Sequence, residues 1–271
     1  MPSSWDASLD LRYEATAGRT IVSRRHDGPL QVQKALYPEG DAICHTIVVH
    51  PPGGIAGGDA LAIRAHCLKD AHALLTTPGA TRWYKADGRR ASQSVKLDLQ
   101  EGRLEWLPQE TIVFDQAVVD STIEIALTGN AATIGWDVVA LGRAAAGESF
   151  QRGEFAQTIR MRADAELVWS ERTRVAGSDA LLESPVGLAA KPVFGCLWAY
   201  GPLWSDTDLE QVRENLPREA AVTRLAPRLL LARALGSTTA IVRAALYHLW
   251  VRARPRVFAG RMAIAPRIWS T

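Results

Sequence analysis

Over the first two thirds of the chain, apolar residues recur at every second position or in short runs, the spacing of strands rather than helices. Such segments stand at Leu9, Leu11 and Tyr13, and at 43–49, 61–65, 73–75, 95–99, 104–107, 112–114, 123–127, 158–161 and 167–169. Gly, Pro, Asp and Asn separate them at short intervals. That density argues for an all-β sandwich, barrel or solenoid, among which periodicity alone does not choose. No fixed-length internal repeat is visible, which weighs slightly against a regular solenoid. Helical signals are confined to the last third. Ser205-Asp206-Thr207-Asp208 offers N-caps ahead of Leu209, Val212 and Leu216, and Pro217 closes that segment. Ile241, Val242, Ala245, Leu246, Leu249 and Trp250 form one face of an amphipathic helix that starts near Thr238 and ends at Pro255, with Arg243, Arg252 and Arg254 off that face or in the last turn. The weakly patterned 178–192 reads as a loop-rich connection. The expectation is one domain over 1–271, β-rich over 1–200 and helix-containing over 201–271.

The most distinctive stretch is His50-Pro51-Pro52-Gly53-Gly54-Ile55-Ala56-Gly57-Gly58-Asp59. Prolines fix φ, and glycines permit close backbone approach, so this is a stiff, shaped loop between two strands that ends on a carboxylate. Thr76-Thr77-Pro78-Gly79-Ala80-Thr81-Arg82-Trp83-Tyr84 is a second such loop. Glu105 and Glu110 sit in the apolar frame 104–114. Trp136-Asp137, Leu141-Gly142-Arg143 and Gly147-Glu148-Ser149-Phe150 add charges in apolar or glycine-rich surroundings.

With 271 residues, 47% hydrophobic and 22% charged, the chain can bury a large core and is not of disordered composition. A formal net charge of +2 and the lack of a basic stripe argue against a nucleic-acid partner. No apolar run approaches the ~20 residues that span a bilayer, and the first dozen residues do not read as a secretion signal. Cys44, Cys67 and Cys196 are an odd, widely spaced set, which fits a reducing cytoplasm rather than a disulfide framework.

Chemistry is narrowed mostly by what the motifs lack. The glycine loop feeds a strand and no GK[ST] follows, so a phosphate cradle is not expected. Cys44-His45 and His66-Cys67 are strand neighbours that point to opposite faces, which suits no thiolate dyad. The histidines have no metal-site spacing and read as satisfied strand or turn residues. The carboxylates Asp59, Glu105, Glu110, Asp115, Asp137, Glu148 and Glu171 stand beside Gly, Trp, Leu or Val. Such groups are costly to bury unless paired, hydrated or metal-bound. Arginine pairing accounts for any one of them, with Arg82, Arg143 and Arg172 as partners in view. A series of them could instead line a watery passage, because oxygen ligands release divalent metals more readily than thiolate or imidazole. The segment 194–204 and the tail residues Ile264, Ile268 and Trp269 present apolar surface that suggests partner binding and partner-dependent solubility.

In this order and spacing, HPPGGIAGGD, TTPGATRWY, LEWLPQE, WD followed by LGR, and GESF resemble the urease accessory protein UreD family, also called UreH. The resemblance extends from about Leu9 to Pro266-Arg267-Ile268-Trp269. Ala56 stands where the family often has Val. The resemblance implies a β-helix-like (solenoid) stack of short strands with two α-helices in the C-terminal third. It implies a non-enzymatic role in delivering Ni²⁺ to apo-urease, together with the F-type accessory protein and the G-type GTPase accessory protein. The implied route is an internal water-filled tunnel, to which Asp59, Thr81 and Asp137 carry over, and with them Glu105, Glu148 and Glu171. Nickel would be in transit, with no tight metal site and no tightly bound cofactor. Two rivals stand beside this: a β-solenoid hydrolase using Asp59 and Glu105 as paired acid and base, and a purely structural adaptor whose carboxylates only pair with arginines.

Overall fold

Segments whose apolar residues alternate pair into one sheet, and segments that are apolar throughout gather at the centre of another. The computed structural model describes residues 4–270, so 1–3 and 271 of the expected domain lie outside the described residues. In chain order the strands are β1 (Asp6–Thr16), β2 (Arg19–Asp27), β3 (Gln31–Leu36), β4 (Ile43–Val49), β5 (Ala60–Cys67), β6 (His72–Thr76), β7 (Thr81–Trp83), β8 (Ala91–Gln100) and β9 (Arg103–Trp106). They continue with β10 (Thr111–Val113), β11 (Val118–Thr128), β12 (Ala132–Leu141), β13 (Glu154–Ala163), β14 (Glu166–Ala176), β15 (Val193–Tyr200), β16 (Ala220–Ala226) and β17 (Leu229–Gly236). Helix α1 (Asp206–Arg213) precedes β16, and α2 (Thr239–Val257) follows β17.

The first sheet runs β14-β13-β11-β8-β5-β1-β2, and the second β16-β17-β15-β12-β9-β6-β4-β3, with β10 bridging β12 and β7. From β4 to β13, leaving aside short β7 and β10, successive strands alternate between the sheets. Neighbours β1, β5, β8, β11 and β13 therefore pair in parallel, as do β4, β6, β9 and β12. Antiparallel hairpins finish the ends. The fold is mainly β, of two mixed sheets, with no closed barrel among the described residues.

Burial explains why the two sheets differ in pattern. In β11 every second residue is buried and the rest face water. The wet face is laced by pairs such as Arg64–Asp10, His66–Asp98 and Lys96–Glu124. Strand β12, by contrast, is buried at all ten positions, because the second sheet is covered on both faces. One core fills the space between the sheets, and another joins the second sheet to the helices through Trp136, Leu197, Leu230, Leu246 and Trp250.

The helices begin as their caps dictate. The Ser205 hydroxyl accepts from Asp208 N while the Asp208 carboxylate accepts from Ser205 N, a reciprocal capping box. Thr238 caps α2 by accepting from Ile241 N. The structure corrects two expectations and adds to a third. Helix α2 passes Pro255 and ends at Val257, since Pro255 lies in the last turn, where Phe258 N still reaches Arg254 O. The helix-containing last third also holds β16 and β17. The 194–204 segment is no surface patch: β15 is a central strand, buried at seven of its eight positions, and only Leu203 beyond it is well exposed.

Gly135 and Trp198 are register partners on β12 and β15. A Cβ on Gly135 would lie 2.1 Å from the Trp198 ring. Gly135→Ala is therefore expected to destabilise the chain by about 1–3 kcal/mol through overpacking, read as a lowered urea midpoint. An unchanged midpoint would show that the ring can move aside.

Candidate functional site

Strand register sets a row of polar residues across an otherwise apolar interior. Gln93 on β8 pairs with Ser121 on β11, Ser121 with Gln157 on β13, and Gln157 with Thr173 on β14. All four are at inward positions. Three strand spacings make the row about 14 Å long. The second sheet answers with Asp137 on β12, in register with Cys196 on β15, itself in register with Arg233 on β17. A hydrogen bond joins the row to the second sheet: Gln157 Nε2 donates to Asp137 Oδ2 at 2.7 Å.

Two cavities flank that bond. The outer one, of about 250 Å³, opens between the two Gly/Pro loops and is lined by His50, Gly53, Gly54, Thr81, Gln93, Trp106 and Ser121. The second, of about 410 Å³, also reaches the surface, beside exposed Arg218, and is lined by Glu171, Thr173, Cys196 and Arg233. Asp137 and Gln157 line both. The Trp106 indole N–H is buried on the outer cavity without a protein acceptor, a donor that calls for water or a ligand. Burial raises the Asp137 carboxyl above the usual range, only partly offset by Gln157. Burial likewise pushes the Cys196 thiol well up, and it lowers His50. At the second cavity Arg233 Nη2 donates to Glu171 Oε2 at 2.6 Å.

The candidate residues divide between these cavities and other duties. Thr81, Asp137 and Glu171 are on the cavities. Asp59 is buried and staples the glycine loop: its oxygens accept from Trp5 N at 2.9 Å and Ala56 N at 2.8 Å. Tyr84 packs so closely on that loop that Gly54 has no room for a Cβ. Glu148 pairs with Arg143 at 2.5 Å and accepts from Asp115 N, beside a separate cleft near Phe150. Of the tail residues, Ile264 is exposed, while Trp269 rests 5.4 Å from the Trp136 ring and donates to Thr76 Oγ1 at 2.8 Å.

Glu105 faces the helix side of the second sheet, in a buried charge cluster. The Arg254 guanidinium, fully buried, donates to both oxygens of Glu105 at 2.9 Å and to both oxygens of Glu39 at 2.8 Å, and also to Met262 O. His72 donates to Glu105 at 3.0 Å, His45 to Glu39 at 2.8 Å, and Trp250 Nε1 to Glu105 at 2.8 Å. Burial opposes the charge on Glu105, but the bonds from His72 and Arg254 outweigh it and bring the carboxyl down to about 2. Burial keeps His72 below its ordinary value.

Sequence reasoning missed Arg254, Glu39 and Gln157. Arg254 does lie in the last turn of α2, one of the two places expected for the arginines, but its complete burial was not foreseen. Gln157 did leave a sign: it interrupts the inward alternation Phe155, Ile159, Met161. Among the described residues, no group of three His, Cys, Asp or Glu side chains converges as a metal site, and no helix is long and apolar enough to cross a membrane.

Comparison with known proteins adds the family. The family model described as UreD urease accessory protein matches residues 6–270. A urease accessory protein UreD of Dechloromonas aromatica is 46% identical over 275 residues, covering 99% of this chain and 95% of its own. Its namesake in Nitrosococcus oceani is 47% identical, covering 100% and 92%, and one in Pseudomonas fluorescens is 48% identical, covering 99% and 96%.

The charge cluster predicts how stability responds to mutation and pH. Arg254→Met strands two buried carboxylates and should cost about 3–5 kcal/mol at neutral pH, a loss that shrinks on acidification as those carboxylates take up protons. In the unmutated chain, Glu105 ionises at about 2 when folded against 4.5 otherwise, so its contribution is complete above pH 4.5 and drains away toward pH 2. His72 acts in the same direction, since below its ordinary 6.5 the unfolded chain takes up a proton that the fold refuses. Urea unfolding between pH 8 and pH 3 measures both; equal losses for Arg254→Met at both ends would refute the assignment.

Proposed function

Since the chain belongs to the UreD urease accessory protein family, we propose that it is a non-catalytic factor in urease maturation that gives Ni²⁺ a route to apo-urease. The observation that supports this is the pair of cavities that meet at Asp137 and Gln157 along a polar row between the sheets. Carboxylate, hydroxyl and amide oxygens hold a divalent ion loosely enough to pass it on. Thr81, Asp137 and Glu171 line the route. Asp59, Glu105 and Glu148, tied by their own bonds, hold its walls: Asp59 the loop at the outer mouth, Glu105 the helix behind the second sheet, Glu148 the loop after β12. We read the alternation of strands between sheets as a β-helix-like winding, which leaves a lengthwise interior for such a path.

In this reading the chain works in the cytoplasm, where its three buried free thiols stay reduced. It joins the F-type accessory protein, through it the G-type GTPase, and docks on apo-urease. Ile264 and its neighbours in the tail contribute to partner contact, and Trp269 anchors that tail to the core. The adaptor rival keeps Glu105, Glu148 and Glu171, each paired with an arginine, but it leaves the polar row unexplained. The hydrolase rival needs two carboxylates about 5 to 9.5 Å apart in an open cleft. Asp59 is spent on backbone N–H groups and Glu105 on Arg254, so neither is free for acid–base work.

Two results follow. Thr81→Trp should obstruct the outer cavity and lower the nickel content of urease matured with it by roughly ten-fold or more, with partner co-purification unchanged; full loading would sink the route. Removing residues 256–271 should weaken recovery of the F-type partner in a pull-down, and undiminished recovery would return the tail to core packing alone.

A further inference from the structure

Asp137 and Gln157 are common to the linings of both cavities, so this pair forms the neck between them. Each is 7% exposed. They come from opposite sheets, Gln157 from β13 and Asp137 from β12, so their 2.7 Å bond crosses the gap where the two linings meet. The NH₂ end of the amide is committed to Asp137 Oδ2. Among the described residues nothing donates to Gln157 Oε1 or to Asp137 Oδ1. The neck therefore holds two unused oxygens and one donor, and the donor is the group that a cation must replace.

We propose that Gln157 is the gate of this passage: with its NH₂ on Asp137 it closes the neck to a divalent cation, and with the amide turned over it offers Oε1 beside the Asp137 carboxylate as a second oxygen ligand. The proposal rests on the route described above. The two ends of an amide are nearly the same size, and its last torsion is broad, so turning needs no repacking of the core. The amide N–H carries partial positive charge and repels an arriving cation, whereas the turned oxygen attracts it. A cation at Asp137 thus supplies the differential interaction that favours the open state. Ser121 and Thr173, flanking Gln157 in register, give the ion oxygen contacts on either side. An amide suits this task better than a carboxylate, because it adds an oxygen ligand without a second full charge that would retain the metal.

The test matures urease in cells carrying the partners and one variant of this chain, following nickel per urease with time; co-purification reports folding. Gln157→Met keeps the length of the side chain but has neither donor nor oxygen, and should slow loading by roughly ten-fold, the order expected when one polar contact to a charged group is lost. Gln157→Ala clears the neck and should load at or above the unmutated rate. Gln157→Glu adds the missing charge and should retain Ni²⁺ in the purified complex under equilibrium dialysis, where the unmutated protein releases it. Normal loading with Gln157→Met, while Thr81→Trp blocks, overturns the gate and leaves the route standing. Normal loading with both overturns the route. Slower loading with Gln157→Ala, or no retained nickel with Gln157→Glu, also overturns the gate, and these two arms decide if Gln157→Met fails to assemble.

Discussion

The buried guanidinium of Arg254 ties together three parts of the chain that are distant in sequence. Its bonds to Glu105 reach strand β9, those to Glu39 reach the turn before β4, and the one to Met262 O draws the C-terminal tail back onto the sheet. A buried charge pair of this kind is not a large net source of stability, because desolvation offsets most of the attraction. Its effect is on geometry. A guanidinium with two bidentate carboxylates permits few orientations. Helix α2 is thereby set at one angle across the second sheet, and that covering is what allows β12 to be apolar on both faces.

The fixed position of β12 matters for the interior. Asp137 sits on the inner face of that strand, one residue after Trp136, whose ring packs outward against Trp250 of α2. The same strand thus receives its constraint from the helix on one side and presents a carboxylate to the polar row on the other. A row of polar side chains through a core costs desolvation at every step, and here the row runs along two cavities rather than through close-packed core. Of the candidate carboxylates, Asp59, Glu105, Glu148 and Glu171 are engaged by arginine or backbone donors, whereas Asp137 accepts from a neutral amide.

Much of the first sheet was legible in the sequence, because one of its faces is wet and alternation marks it. Strands β5, β8 and β11 fall where their pattern put them. Strands β12 and β15 carried no alternation, being dry on both faces, and their apolar residues looked like surface patches or motif fragments. Both helices were visible from caps and apolar spacing, but the end of α2 was not, since proline in a last turn removes a bond without breaking the turn. The glycine loop does lie between two strands, as its sequence indicated, although its terminal Asp59 is occupied by backbone. Arg254 was hidden for a different reason: its spacing along α2 does not show that Glu39 comes to meet it, and no local pattern reports a partner 215 residues away.

The contact between Gly135 and Trp198 has a consequence for how such sequences can diverge. The indole fills the volume that any side chain at 135 would need, and the bare backbone at 135 leaves space that a residue smaller than tryptophan at 198 would not fill. Each position therefore sets what the other tolerates, and the effects of changing both will not sum. A lineage leaving this arrangement must cross a less stable single mutant or change both positions together. That ruggedness ties the two strands as one heritable unit, although position 135 has no side chain to bond with.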